Sequence, residues 1–384
     1  MSTVDIWLVV GTRRWARLMV TELCIALPVN KKVYIQGDPD DLEIVSWISK
    51  SKLSEKVIVV REPLPCPKTL TGVAIVANSA YLHKSSVKEM LKSGYNVVCE
   101  KPITFSSQET LGLINLAKVN GLQLFATNTY LFTSYLNNLK NDWFADQQLV
   151  GMNIKWTDPA SEQRYGENKT YDSSVPLIYD ILPHISNIIL AAVGELNTAS
   201  CKINVRRGGS LALLDFSNGR CKTHVKIERN SNERMRTLEL ISNSRRLFVN
   251  FAELPPTFFL NNQQVIEATH SKIQPKPIMS MINSIINFFE SNKADSRLSA
   301  NSAVIGNILI ENFSRSYVMQ QIMFFSKNND LLNPINLSHS FKYASKEVES
   351  IAHRALPYLP DDCPLRELAN VASNSYICPN PNPN

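Results

Sequence analysis

Five consecutive apolar residues, Ile6–Val10, run without interruption into Gly11, and an amphipathic helical pattern follows directly. An unbroken apolar run of strand length suits a parallel strand buried on both faces. A glycine at the corner permits the tight turn from strand to helix. The unit then repeats. Trp15, Leu18, Met19, Leu23 and Ala26 keep helical spacing, and a second strand is expected at Val33–Ile35, closed by Gly37-Asp38. Further strands are expected at Val57–Val60, Val73–Ala77, Asn96–Cys99 and Leu122–Ala126. A helix over His83–Ser93 has Gly94 as its C-terminal cap, and one from Ser107 to Val119 is capped by Ser106 or Ser107. Repeated β-α-β units with short links predict an α/β chain that opens with a doubly wound parallel sheet, residues 1–127.

The pattern changes after Asn128. A helix is expected over Leu131–Leu139, then strands at Gly151–Trp156, Ser210–Asp215, Lys222–Ile227, Thr237–Ile241 and Arg246–Asn250, with Ser217-Asn218-Gly219 as a turn. Strands joined by tight turns predict a C-terminal α+β domain, residues 128–327, built on a large, mainly antiparallel sheet. Helices are expected near Ile278–Glu290 and Ala300–Met319. In the first, Ile282, Ile285, Ile286 and Phe289 fall at helical spacing and read as a core face. Residues 328–384 form a polar extension with one short helical candidate, Lys346–Arg354. It ends in Pro-Asn repeats, Pro379 to Asn384, which are expected to be disordered.

Composition narrows the function classes. The net charge of +6 is scattered, with no block of five like charges, which argues against a nucleic-acid surface. The seven cysteines stand singly, without a CxxC pair, so neither a disulfide framework nor a metal site is expected. No basic segment leads into a long apolar run, and no stretch of about eighteen apolar residues could span a bilayer. The expectation is a reduced, cytoplasmic protein with no membrane partner.

The corner after the first strand carries chemistry. Gly11-Thr12-Arg13-Arg14-Trp15-Ala16 matches the dinucleotide fingerprint G-x-G-x-x-G/A at its first and third positions. Gly11 allows the turn, Ala16 lets helix pack closely on strand, and the helix N-terminus faces a pyrophosphate with its unpaired N–H groups. Arg13 stands where the second glycine is usual. Either its side chain points away from the cofactor, or Arg13 and Arg14 add positive charge to the phosphate site. Asp38, at the end of the second strand, is placed to accept ribose hydroxyls, which favours NAD over NADP; the nearby arginines weaken that preference. Asp38 also reads as a turn residue of Gly37-Asp38-Pro39-Asp40.

Asn96-Val97-Val98-Cys99-Glu100-Lys101-Pro102, a buried strand ending in Glu-Lys-Pro, resembles the Gfo/Idh/MocA oxidoreductases, relatives of glucose-fructose oxidoreductase and inositol dehydrogenase. Asn78-Ser79-Ala80-Tyr81-Leu82-His83 is similar to the family's Thr-Pro-Asn-x-x-His loop, and Asp180-Ile181-Leu182-Pro183-His184 to its D-x-G-P-H segment. The resemblance runs over residues 4–325. It implies hydride transfer between nicotinamide and a small polar substrate, most often a sugar carbonyl or hydroxyl. By position, Lys101 takes the role of the lysine that contacts substrate and cofactor ribose, Asp180 that of the substrate-binding acid, and His184 that of the proton donor or acceptor. Gly11, Thr12, Arg13, Arg14, Trp15, Asp38, Asn78, Ser79, His83, Glu100 and Lys101 are the expected cofactor residues. Leu182 and Asn187 depart from the family pattern.

Elementary chemistry agrees with those roles. Hydride arrival at a carbonyl leaves an alkoxide that needs a proton, and an imidazole exchanges protons near neutrality. A neighbouring ammonium stabilises the developing charge. A spacing of four puts Asp180 and His184 on one helix face; Pro183 must interrupt that helix's ladder or lie in its first turn. His83 also reads as a helix-capping residue, and His224, His270, His339 and His353 as structural or surface groups. Two other readings stay open, an imine reductase and a non-catalytic binding or regulatory protein on the same fold. A homodimer or homotetramer is expected, because family members associate through the open face of the second-domain sheet and an apolar face there would need covering.

Overall fold

The computed structural model describes residues 4–62, 66, 69–164, 167–169, 171–265, 276–327 and 339–376. Met1–Ser134 with Gln274–Asn307 form one compact unit, and Tyr135–Ile273 with Ile308–Asn384 form the other.

The first unit is built on six strands: β1 (Ile6–Val10), β2 (Val33–Gln36), β3 (Val57–Val60), β4 (Gly72–Val76), β5 (Tyr95–Cys99) and β6 (Leu124–Ala126). They lie in the order β3-β2-β1-β4-β5-β6, and every pair is parallel. This order reverses direction between β1 and β4, the switch point at which open α/β sheets bind ligands beyond their strand ends. The helices are α1 (Arg14–Ala26), α2 (Leu42–Lys50), α3 (His83–Lys92) and α4 (Ser107–Val119). Strand alternation feeds two cores. Trp7, Val9 and Ile75 pack with Met19 and Leu23 of α1 on one face. Leu8, Val10 and Ala74 pack with Val87 and Met90 of α3 on the other. The strands predicted from apolar runs are therefore present. α2 lacked a clear sequence signal; Asp41 caps it by accepting the N–H of Glu43.

The expected helix over Leu131–Leu139 does not form as one element. Two single 3₁₀ turns, Thr129–Phe132 and Ser134–Leu136, precede a short helix, α5 (Leu139–Phe144). Thr133 between the turns is extended, and Asn138 is left-handed at φ 61°, so the chain changes direction twice where the apolar spacing alone implied continuity.

The second unit carries an eight-stranded sheet, ordered β10-β11-β12-β7-β13-β14-β15-β16. Its strands are β7 (Gly151–Pro159), β10 (Thr198–Arg206), β11 (Leu211–Asn218), β12 (Cys221–Ser231), β13 (Met235–Ile241), β14 (Arg246–Asn250), β15 (Thr257–Leu260) and β16 (Gln263–Val265). The small pair β8 (Gln163–Arg164) and β9 (Glu167–Asn168) stands apart. All pairs of the large sheet are antiparallel except β12 with β7. α6 (Leu177–Val193) is apolar almost all round and packs on β12. Pro183 lies in its interior, past the first turn.

The chain then contributes α7 (Pro277–Ser291) to the first unit, where it lies on α1 and brings Phe288 edge-on to Phe125, centroids 4.9 Å apart. α8 (Asn301–Lys327) runs past the expected end at Met319. In the first unit its Asn307 bonds Thr110 at 3.0 Å. In the second unit its Gln320 pairs with β10 like another strand, donating to Ile203 O at 2.9 Å and accepting from Val205 N at 2.8 Å.

The described residues of the polar extension, 339–376, belong to the second unit. α9 (His339–Ser350) continues into a wider turn, Ile351–Ala355, and α10 (Leu365–Tyr376) follows. α9 starts well before the expected Lys346, and no sequence signal marked α10. The extension rests on the turn Arg207–Gly209, where Gly208 has φ 62° and a Cβ would stand 2.4 Å from Cβ of Ala344. Only a glycine admits both that backbone and that contact. The Pro-Asn repeats and His270 lie outside the described residues.

Candidate active site

In the first unit, the expected cofactor residues gather where β1, β4 and β5 end. Gly11 has φ 116°, and a Cβ there would stand 2.9 Å from Cα and N of Asn78. The corner after β1 therefore needs glycine both for its conformation and for its approach to the loop after β4. Thr12 fills the space beside Gly37, and its carbonyl accepts Arg17 Nε at 2.9 Å. Arg13 is the N-cap of α1 with extended backbone (φ −83°), a conformation open to any residue, and its side chain is exposed. A second glycine is not required by this backbone. No side chain caps α1 and its first turn holds no acid, which leaves the positive end of the helix available to an anion. Arg14 lies over the ring of Trp15 at 5.6 Å, and Ala16 is fully buried against the strands.

Asn78 donates to Ser86 Oγ at 2.8 Å, while its Oδ1 is buried without a partner. Ser79 starts a 3₁₀ turn that leads into α3. His83 is buried, with Nδ1 2.7 Å from Pro102 O and Nε2 3.2 Å from Asn78 O. Its ring thus ties the loop after β4 to the loop after β5. Glu100 is buried, and its carboxylate accepts the N–H of Lys101 at 3.1 Å. Lys101 is half-buried at the end of β5. Asp38 follows Gly37, just after β2. It accepts the N–H of Asp40 at 3.0 Å and pairs with Arg61 at 2.9 Å, so it is the turn residue and also an acid with a neighbouring cation.

In the second unit, α6 carries both expected catalytic groups. Asp180 is in its first turn, where a carboxylate suits the helix dipole. Its Oδ2 accepts Arg229 Nη2 at 2.8 Å. Arg229, on β12, is 2% exposed, also donates to Val175 O at 2.9 Å, and lies over the Tyr171 ring at 4.7 Å. Its other terminal nitrogen donates to Glu347 of α9 at 3.0 Å. Burial alone would push the guanidinium down; Asp180 and Glu347 overrule it and hold Arg229 charged. Glu347 is itself pushed up to about 6, by burial first, with Arg229 opposing. His184, one turn on and half-buried, stacks on Trp156 of β7 at 5.0 Å and 12°. Arg236, the cross-strand neighbour of Trp156, lies 3.6 Å from the centre of that ring and pairs with Asp158. Burial would raise the Asp158 carboxyl, but Arg236 and Lys169 hold it well below the usual range. Leu182 and Asn187 are both buried.

Residues 63–128 match the sequence model of the GFO_IDH_MocA oxidoreductase family, described as an NAD-binding Rossmann fold. That stretch includes β4, β5 and β6 of the first unit. No curated protein sequence matches the chain. Solved structures share the fold at low identity. UDP-N-acetylglucosamine 3-dehydrogenase GnnA from Acidithiobacillus ferrooxidans superposes with a TM-score of 0.61 at 12% identity, over 79% of this chain and 94% of that one. KijD10, a 3-ketoreductase from Actinomadura kijaniata solved with NADP, gives 0.64 at 14%, over 80% and 96%. Biliverdin reductase from Synechocystis, solved with biliverdin and NADP+, gives 0.62 at 14%, over 82% and 98%.

Sequence reasoning missed Arg229, Arg236, Trp156 and Arg61. For Arg229 a signal existed: Thr223, Val225 and Ile227 alternate onto the buried face of β12, and Arg229 is the next residue in that series. Nothing in the sequence marked Glu347 as its partner, 118 residues away.

Proposed function

We propose that this chain is an NAD(P)-dependent oxidoreductase that moves a hydride between nicotinamide and a small polar substrate, a sugar-like carbonyl or hydroxyl. The observation that carries the reading is the glycine corner at the β1–β4 switch point, Gly11 at φ 116° against Asn78, where doubly wound sheets bind dinucleotides. The first unit is the dinucleotide side, and the second the substrate side.

When bound, the nicotinamide supplies the two-electron chemistry. Thr12 and Arg13 lead into α1, whose first turn begins with Arg14 and Trp15, and together they receive the pyrophosphate through backbone N–H groups, with added charge from the arginines. Asn78 and Ser79 form the opposite wall, and the unpartnered Oδ1 of Asn78 is a ready acceptor. His83 and Glu100 hold the two loops in register. Lys101 stabilises negative charge on the substrate oxygen. On the second unit, His184 gives or takes a proton, and Asp180, paired with Arg229, accepts substrate hydroxyls. The buried thiols Cys24, Cys99 and Cys221, all raised in pKa by burial, support a reducing compartment, and we place the protein in the cytoplasm.

Titration of the purified protein with NADH and NADPH, followed by nicotinamide fluorescence, tests the reading. Saturable binding of either is expected. A folded protein that binds neither would remove the redox function and favour a binding role on the same fold.

A further inference from the structure

We propose that Arg229 and Glu347 are positioning residues for Asp180, so that the C-terminal extension is a working part of the substrate-side machinery. This inference rests on the role given to Asp180 above.

The geometry is a relay of fixed directions. Glu347 sits on α9, 1% exposed, and takes Nη1 of Arg229. Nη2 divides between Val175 O and the Asp180 carboxylate. Tyr171 closes one face of the guanidinium. Asp180 is the end of the relay with a route to solvent, its side chain 28% exposed. Every titratable group facing this cation comes from a different segment: Asp180 from α6, Glu347 from α9, Tyr317 from α8, and Tyr171 from the loop before α6. Tyr343, also on α9, faces Tyr171.

α9 is held in place independently of the ion pair. Ala344 packs on Gly208, Ser350 Oγ accepts from Ser173 Oγ at 2.9 Å, and Cys363 Sγ lies 3.9 Å from Tyr179 Oη on α6. The extension therefore delivers Glu347 to a set place. A buried ion triad is a poor way to gain stability, since apolar side chains of similar volume usually do as well or better. Two atoms of this triad, Arg229 Nε and Glu347 Oε2, are moreover buried without partners among the described residues. That cost is explained if the triad's product is an oriented, ionised Asp180.

The test uses the full chain, labelled with 13C at aspartate carboxyls, with the Asp180 resonance assigned by its loss in Asp180→Asn. In Arg229→Gln the Asp180 midpoint should rise by about one unit or more, because its counter-ion is gone. In Glu347→Gln it should fall, because the whole charge of Arg229 then acts on Asp180. In the unaltered protein the resonance should also shift near pH 6, as Glu347 takes its proton. Should Arg229→Gln fail to fold, the isosteric Glu347→Gln and the unaltered protein still decide. An Asp180 resonance indifferent to Glu347 in both would overturn the proposal. NADPH titration of the same samples keeps the two ideas apart: these shifts without dinucleotide binding would sink the redox reading alone, and binding without the shifts would sink the relay alone.

Discussion

Asp180 and His184 share a helix face but meet different neighbours. Asp180 faces a buried cation. His184 lies flat on Trp156, whose ring also carries Arg236, so its ring plane is fixed. His184→Ala should lower single-turnover hydride transfer by about a hundredfold while leaving NAD(P)H affinity unchanged; full activity would remove it from the chemistry. Under the proposed function, Asp38 and Arg61 set the preference between dinucleotides. With Arg61 alongside, Asp38 repels a 2′-phosphate less than a lone acid would. Arg61→Ala should therefore weaken NADPH binding more than NADH binding, by about tenfold in the ratio, read from paired titrations. Glu347 gives a pH dependence of stability. Its folded-state value near 6 lies above the ordinary 4.5, so the folded protein holds this proton more tightly than the unfolded chain does. The contribution is fully present below 4.5 and is lost as pH rises through about 6. The melting temperature of Glu347→Gln should accordingly gain on that of the unaltered protein between those values, and parallel curves would contradict this. Lys101, Asp180 and His184 stand out in the sequence because each sits in a short local motif. Arg229 and Glu347 do not, because their meaning comes from a partner far along the chain.

Among the elements, the parallel strands were legible because runs such as Ile6–Val10 and Gly72–Val76 are buried on both faces and need no context. Leu131–Leu139 misled for the opposite reason: its apolar residues keep helical spacing, yet Thr133 and Asn138 turn the backbone out of the helix. α9 was half legible, since its buried side chains Ala344, Glu347 and Val348 include a carboxylate. The contact between α9 and the Arg207–Gly209 turn makes a clear prediction. Gly208→Val places carbon where Ala344 now sits, and should lower the melting temperature by several degrees and expose the extension to limited proteolysis. Unchanged protection would show that the extension is held by its other contacts.

For the whole molecule, the resemblance leads to a homodimer or homotetramer through the open sheet face of the second unit. That face is polar here. One cross-strand row runs Asp215, His224, Asn153, Glu239 and Phe248, and the next contains Lys226 and Lys155. Asn153 donates to Glu239 at 2.6 Å, Arg246 pairs with the same acid at 2.5 Å, and His224 pairs with Asp215. If copies associate there, charge complementarity holds them, and light scattering should show dissociation at high salt; an assembly indifferent to salt would place the interface elsewhere. Among the described residues no helix is long and apolar enough to cross a membrane.

The pairing of Gln320 with β10 limits how such copies can join. A strand at the end of a sheet ordinarily offers its free amides and carbonyls as a template, on which another molecule can add a strand and begin a fibre. At β10 the Ile203 and Val205 groups already bond a side-chain amide that cannot be extended. Growth by strand addition is hindered at that part of the margin.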